Sequence, residues 1–135
     1  MRNTQIPLFS PETEWVMPEE LKDLKGCKKI AIDLETNDPN LKETGSGNVA
    51  GEGHIAGIAV AVEGWSGYFP VHHEQGGNMD KKLVFSWLQD ILNQTDTTFI
   101  FHNAMYDVCW LRKEGLSIKG HIVDTMIAAS LIDEN

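Results

Sequence analysis

Two carboxylates stand two positions apart within residues 30–36, and their spacing is the first sign of chemistry in the chain. Aliphatic residues alternate there with Asp33 and Glu35, which is the period of a β-strand and puts both acids on one face. A strand rises about 3.3 Å per residue, so the acids lie roughly 6–7 Å apart. Such a pair can bracket divalent cations about 3.5–4 Å apart, as in two-metal phosphoryl chemistry. The plain alternative is a strand that ends in exposed acids, and only a third carboxylate separates the two interpretations.

Asp107 is the candidate for that third carboxylate. On a helical wheel, Ala104, Val108 and Leu111 form the buried stripe of a predicted helix, and Asp107 lies at its edge. A carboxylate against an apolar face is costly unless it is paired or binds a metal. The helix alone leaves open whether Asp107 is a ligand or is hydrogen-bonded to neighbouring backbone.

The order of the elements favours a shared site. The strand predicted over residues 97–101 should lie parallel beside the first strand, so the loop after it emerges near Asp33 and Glu35. Ligands of open α/β sheets bind at such carboxyl edges. Asp107 follows that loop, so the three acids are predicted to converge.

The elements around these acids predict an α/β fold with a mixed five-stranded sheet flanked by helices. Residues 1–27 are predicted to be an N-terminal arm that ends in a short helix over 18–26, because Pro18 opens that stretch and Gly26 ends it. Short connections favour an antiparallel meander of the first three strands, and the later helices should make right-handed crossovers. The remaining predicted elements are a glycine-rich loop over 37–53, strands over 54–62 and 65–71, a polar loop over 72–79, a helix over 80–93, a strand over 97–101, a helix with Asn103 as its N-cap that ends at Gly115, a strand over 118–123, and a helix capped by Asp124.

The composition of the chain limits which functions are possible. The 135 residues are one domain's worth, and the net charge of −9 argues against a broad basic surface for duplex DNA. Bound metal ions reverse the local sign of such a site, so an enzyme that grips a chain end stays open. The chain has no membrane-length apolar run and no signal-peptide pattern, and its two separated cysteines read as reduced thiols, which predicts a cytoplasmic protein.

Two polar stretches carry weaker signals. The glycines of residues 37–53 have no strand–GxGxxG–helix context, so this stretch is interpreted as a mobile loop rather than a dinucleotide site. His72 and His73 are adjacent, and an extended chain would point them to opposite faces. That arrangement argues against a metal shared by the two histidines.

Three motifs together resemble those of DEDD-type 3′–5′ exonucleases. They are Ile-Asp-Leu-Glu-Thr at 32–36, His-Asn-x-x-Tyr-Asp at 102–107, and Asp124-Thr125 at the start of the next helix. The chain is most similar to the proofreading domain of family A (Pol I-like) DNA polymerases, particularly phage versions, from about residue 28 to residue 132. Residues 28–135 are therefore interpreted as a 3′–5′ exonuclease domain.

The resemblance implies a ribonuclease-H-like fold and release of nucleoside monophosphates from the 3′ end of single-stranded DNA, with the rest of a DNA polymerase chain as partner. It implies two Mg²⁺ or Mn²⁺ ions, held by the catalytic acids Asp33, Glu35 and Asp107. It also implies a position beside the terminal nucleotide for three further residues, Thr36, Asn103 and Tyr106.

The family's fourth acid is absent from the chain. The family carries it in a Tyr-x-x-x-Asp or His-x-x-x-Asp motif some tens of residues after the Asp-Thr helix. Here His121 stands three residues before Asp124, and Asp124 occupies the position of a structural helix cap. The domain is therefore expected to be incomplete at its C-terminus and weak or inactive alone.

Two other functions remain open at this point. One is a non-catalytic or degenerate exonuclease-like fragment that binds nucleic acid, which metal-dependent nucleotide release would exclude. The other is a different nuclease of the same fold, such as a ribonuclease H or a junction resolvase, which RNA–DNA hybrids and four-way junctions would test. The preference for DNA over RNA is not decided by the residues.

Overall fold

A computed structural model describes residues 15–133. Most of the predicted N-terminal arm, residues 1–14, lies outside the described residues. The elements are β1 (Lys29–Asn37), α1 (Leu41–Thr44), α2 (Gly47–Ala50), β2 (His54–Val62), β3 (Trp65–Pro70), α3 (Lys81–Leu92), β4 (Thr98–Phe101), α4 (Ala104–Lys113), β5 (His121–Asp124) and α5 (Thr125–Ile132).

The five strands form one mixed sheet in the order β3-β2-β1-β4-β5. β1 pairs antiparallel with β2, and β2 with β3, which confirms the predicted meander. β4 lies parallel to the other edge of β1, and β5 lies parallel to β4. The strand with the acidic pair is thus held on both edges at the centre of the sheet.

The two faces of β1 have opposite character, as the alternation predicts. Ile30, Ile32 and Leu34 are buried and belong to one hydrophobic core with residues of α3 and α4. Asp33 and Glu35 are exposed on the other face. Burial of the aliphatic face therefore fixes the face on which the two acids lie.

The short helix predicted over residues 18–26 is wrong. The chain there is irregular, and distant side chains satisfy its backbone carbonyls. The Trp87 indole N–H donates to the carbonyl of Lys22 at 2.7 Å. The Gln94 amide donates to the carbonyl of Leu24 at 3.3 Å. So short a helix has little stability of its own, and these partners on and after α3 override its local preference.

Two further boundaries differ from the prediction. The glycine-rich stretch 37–53, predicted as a loop, contains the single-turn helices α1 and α2. The strand predicted over residues 118–123 is β5, which begins only at His121. The N–H of Lys119 donates to the carbonyl of Leu92 at the end of α3, so it is not available to β4. The pairing of β5 with β4 therefore begins only at His121.

Asp124 links the starts of two helices. Asn103 is the N-cap residue of α4, as predicted, although its side chain makes no capping bond. The Asp124 carboxylate instead accepts from the N–H groups of Asn103 at 3.0 Å and Ala104 at 2.8 Å. It also accepts from Met126 N–H at 2.9 Å, which confirms its predicted role as the cap of α5.

The last helix adds little to the core. None of the residues of α5 is buried, and four large apolar side chains on it are exposed: Met126, Ile127, Leu131 and Ile132. No helix within residues 15–133 combines the length and the apolar character needed to cross a membrane. The core therefore rests on the sheet, α3 and α4.

Replacement of Asp124 by alanine should lower the melting temperature more than replacement of Asp80, the N-cap of α3. Asp124→Ala removes the acceptor of N–H groups at two helix starts, whereas Asp80→Ala removes it at one. Thermal unfolding followed by circular dichroism measures both losses. Equal losses would contradict a role of Asp124 at both helices.

Candidate active site

Asp33 lies where β1 extends past its pairing with β4. That pairing ends at Ala31, while β2 accompanies β1 to its last residue. The Asp33 side chain is exposed and borders an open cleft of about 940 Å³ over the sheet face, together with Tyr68 of β3 and His102 after β4. The first predicted acid therefore opens onto a concave surface.

Asp107 is buried against β1, with 3% of its surface exposed. It was predicted at the edge of the apolar stripe of α4, but it lies within the buried face, with Ala104, Trp110 and Leu111. Its Oδ2 accepts from the N–H of Leu34 at 3.3 Å. Because β4 has already ended, the carboxylate serves a backbone donor that has no strand partner there. This bond explains how α4 accommodates a buried acid.

The Asp107 carboxyl also lies within electrostatic reach of Asp33. Burial, followed by repulsion from the Asp33 carboxylate, raises the pKa of Asp107 to about 7, and the hydrogen bond from Leu34 lowers it only in part. Two acids that resist joint ionisation in this way are stabilised by a cation between or beside them. The structure thus brings together two of the three predicted ligands.

Glu35 is turned toward β3. Its Oε2 accepts from the Tyr68 hydroxyl at 2.7 Å and lies 3.9 Å from Nε2 of His73. It borders a second, smaller cavity of about 490 Å³, which Thr36 and His72 also line. Asp33 and Glu35 therefore open onto different cavities although they share one face of β1.

The donor chemistry fits a hard divalent cation. All three predicted ligands offer carboxylate oxygens, which Mg²⁺ and Mn²⁺ prefer, and the repulsion at Asp107 is what such an ion would relieve. Across residues 15–133, however, no three His, Cys, Asp or Glu side chains are gathered closely enough to hold a metal ion. Convergence of Asp33, Glu35 and Asp107 on one site stays a prediction.

Thr36 and Tyr106, two of the predicted substrate residues, contact each other. The Tyr106 hydroxyl donates to Oδ2 of Asp38 at 3.0 Å and lies 2.8 Å from Oγ1 of Thr36. A tyrosine hydroxyl carries one proton, so Thr36 is the donor in the second bond. Asn103, the third, is exposed at the start of α4, in the left-handed conformation with φ 66°.

Sequence reasoning missed Asp38, which organises the stretch before β2. Besides the Tyr106 hydroxyl, its carboxylate accepts from the N–H of Gly47 at 3.0 and 3.1 Å. A Cβ at Gly47 would lie 2.6 Å from the carbonyl oxygen of Glu52, so only glycine fits there. An acid two residues after Thr36, followed by glycines, was the available signal.

Comparison with known proteins identifies the family. A family model described as "3'-5' exonuclease" matches residues 10–135. The chain belongs to this exonuclease family. It is 35% identical over 143 residues to a DNA-directed DNA polymerase of Pseudomonas phage M6, a match that covers 99% of the chain and 21% of the polymerase. The exonuclease domain is thus the Pol I-like type that the motifs predicted.

Solved structures agree on the fold. Two structures of NrnC from Brucella melitensis, one with bound Mg²⁺, match this exonuclease domain with a TM-score of 0.53. The identities are 18% and 19%, and each match covers 78% of the present chain and 45% of the NrnC chain. This similarity confirms the predicted ribonuclease-H-like fold. The exonuclease domain spans less than half of the NrnC chain and about a fifth of the phage polymerase.

Asp107→Asn should stabilise the exonuclease domain at pH 8 in the presence of EDTA. The folded-state pKa of Asp107 is about 7 against a usual 3.8, so ionisation opposes folding. The penalty is complete above about pH 7, shrinks as the pH falls toward 4, and is absent below that. At about 1.4 kcal/mol per pKa unit, the shift from 3.8 to about 7 sets an upper bound of roughly 4 kcal/mol on the gain at pH 8.

Thermal unfolding of both proteins at pH 8 and pH 4.5 measures this effect. The substitution should raise the melting temperature by several degrees at pH 8 and by much less at pH 4.5. A variant that is less stable than the parent at pH 8 would show that the Asp107 carboxylate is not an electrostatic liability.

Proposed function

We propose that the chain is a two-metal-dependent 3′–5′ exonuclease that releases nucleoside monophosphates from the 3′ end of single-stranded DNA. One observation carries the proposal: a buried carboxylate, Asp107, is pressed against the central strand beside Asp33, at the edge where β4 ends. Carboxyl pairs with perturbed pKa values are concentrated at functional sites, and a metal site needs such a pair. Membership of the exonuclease family supports the same reaction.

Asp33, Glu35 and Asp107 would hold two Mg²⁺ or Mn²⁺ ions. When bound, such ions lower the pKa of a water nucleophile and offset the charge that develops on the phosphate and the leaving 3′ oxygen. The chain's own part is to fix the carboxylates. Asp107 is held by the Leu34 N–H and by burial in α4, and Asp33 by a strand paired on its β2 edge.

The charge of the chain is consistent with this division of labour. A net charge of −9 provides no general attraction for DNA, so the anionic substrate needs a local positive charge. Bound cations supply that charge only at the site, which favours a chain end over a long duplex. We propose, further, that the domain acts within a DNA polymerase chain in a bacterial cytoplasm, as its similarity to a phage polymerase suggests.

The proposal predicts metal-dependent release of mononucleotides that Asp33→Asn or Asp107→Ala abolishes. The assay uses 5′-labelled single-stranded DNA with Mn²⁺, both for this chain and for the longest reading frame that encodes it. Asp90→Asn, which removes an exposed carboxylate from α3, is the control and should keep full activity. EDTA should stop the reaction in every protein.

Three results would contradict the proposal. They are cleavage that survives EDTA, cleavage within the strand or of four-way junctions in place of stepwise shortening, and full activity of Asp107→Ala. DNA binding without release in either form of the protein would favour the non-catalytic alternative. RNA–DNA hybrids, run in parallel, test the alternative of a ribonuclease H.

Thr36, Asn103 and Tyr106 are proposed to contact the terminal nucleotide. Thr36 follows Glu35 directly, and Tyr106 precedes Asp107, so both adjoin the proposed ligands. The Tyr106 ring is half-buried and makes a T-shaped contact with the Trp110 ring, at a centroid distance of 6.3 Å. A base stacked on such a ring gains about 1–3 kcal/mol.

Tyr106→Phe should lower turnover while folding and Mn²⁺ binding persist. The change keeps the ring and removes the hydroxyl that bonds Asp38 and Thr36. Single-turnover cleavage and thermal unfolding of the same variants measure the two effects. If Tyr106→Phe cleaves normally and Tyr106→Ala mainly lowers the melting temperature, Tyr106 is a packing residue and its substrate role is wrong.

A further inference from the structure

Tyr68 reaches across one strand of the sheet to bond Glu35. It stands on β3, and β2 lies between β3 and β1. The residue of β2 directly opposite Glu35 is Gly57. A Cβ at that position would overlap the Tyr68 hydroxyl and ring, so the absence of a side chain at Gly57 makes room for the crossing. A glycine inside a strand weakens that strand because it has no side chain to pack. Here the Tyr68 side chain packs over Gly57 and fills the space.

The bonds at Tyr68 form a chain of donors that ends on Glu35. The Tyr68 hydroxyl donates to Oε2 of Glu35 at 2.7 Å and lies 2.6 Å from Nε2 of His73. Because the hydroxyl has one proton, His73 must donate from Nε2 to the tyrosine oxygen. The direction is therefore His73 to Tyr68 to Glu35.

His73 is itself held by the loop that carries it. The Asn78 side chain accepts from the His73 N–H at 2.8 Å and donates to the His73 carbonyl at 3.0 Å. His72 points elsewhere and stacks on His54, with ring centroids 3.8 Å apart. The two adjacent histidines thus separate as their alternation predicted, and His73 alone joins the chain of donors.

Only one oxygen of Glu35 is used by these bonds. Within residues 15–133, Oε2 receives the tyrosine proton and Oε1 has no hydrogen-bond partner. A tyrosine hydroxyl is protonated at neutral pH, so Tyr68 remains a donor to Glu35. A carboxylate held by one oxygen keeps the other available for a cation.

We propose that Tyr68 and His73 are positioning residues that hold one oxygen of Glu35 and leave the other, Oε1, to bind a divalent cation. The inference rests on the proposed function, and it adds two side chains that lie outside all three exonuclease motifs. Neither residue is proposed to touch the metal or the DNA. The competing explanation is structural: the Tyr68–Glu35 bond would then only tie β3 to β1.

Mn²⁺ affinity separates the two explanations. The free Mn²⁺ signal in electron paramagnetic resonance is titrated against the metal-free chain and its variants, and thermal unfolding is measured in EDTA. Tyr68→Phe should weaken Mn²⁺ binding about tenfold, which is the size typical for loss of a hydrogen bond to a metal ligand. Ser66→Ala, which removes a hydroxyl from the same strand, is the control and should bind Mn²⁺ as the parent does.

A double-mutant cycle shows whether the effect passes through Glu35. In a Glu35→Gln background, Tyr68→Phe should cause no further loss of Mn²⁺ affinity, because the carboxylate it orients is gone. Gly57→Ala, which displaces the tyrosine, should weaken Mn²⁺ binding in the same direction as Tyr68→Phe. His73→Gln tests the donor to Tyr68 and should give a smaller loss.

The failures of the two ideas are distinguishable. If the parent chain binds Mn²⁺ and Tyr68→Phe binds it equally well or more tightly, the positioning role is wrong and the proposed nuclease stands. The same holds if Tyr68→Phe lowers only the melting temperature, or if its loss of affinity is unchanged in the Glu35→Gln background. If the parent chain shows no saturable Mn²⁺ binding, the proposed function fails and the inference fails with it.

Discussion

The candidate site depends on the place where β4 stops pairing with β1. Up to Ala31, the backbone of β1 bonds to β4; beyond it, the N–H of Leu34 bonds to the Asp107 carboxylate. A buried backbone donor needs a partner, and a buried carboxylate needs a donor, so each satisfies the other. This exchange brings an acid from α4 to the central strand, next to Asp33. Without the early end of the pairing, a strand would occupy that position.

This arrangement carries an electrostatic cost. Desolvation and the Asp33 charge both oppose ionisation of Asp107, and one backbone donor compensates only partly. A core formed for stability alone would place an apolar residue there, as α4 does at Ala104 and Leu111. Ionisation of Asp107 thus opposes folding, so the domain is less stable at neutral pH than its core would allow.

The sequence predicts the fold well wherever hydrophobic periodicity decides the structure. The alternation in β1 and the helical spacing of α3 reflect burial, and burial sets the order and direction of all five strands. The prediction is wrong where a distant side chain decides. Hydrogen bonds from Trp87 and Gln94 hold the segment before β1 in an irregular conformation in place of the expected helix. The Asp124 carboxylate, rather than the Asn103 side chain, accepts from the N–H groups at the start of α4. None of the residues Trp87, Gln94 and Asp124 lies within the short stretch of sequence from which the helix or the cap is predicted.

The same difference between local and distant signals applies to the residues of the candidate site. Asp33, Glu35 and Asp107 stand in recognisable motifs, so their types and spacing alone suggest their roles. Tyr68 belongs to no such motif, because its relation to Glu35 depends on the register of three strands. The contact needs both a glycine opposite Glu35, at position 57, and a tyrosine long enough to cross β2. A lone glycine in a strand would otherwise count as a weakness or a bulge. Cross-strand contacts such as the bond between Tyr68 and Glu35 therefore cannot be predicted from any single segment of the sequence.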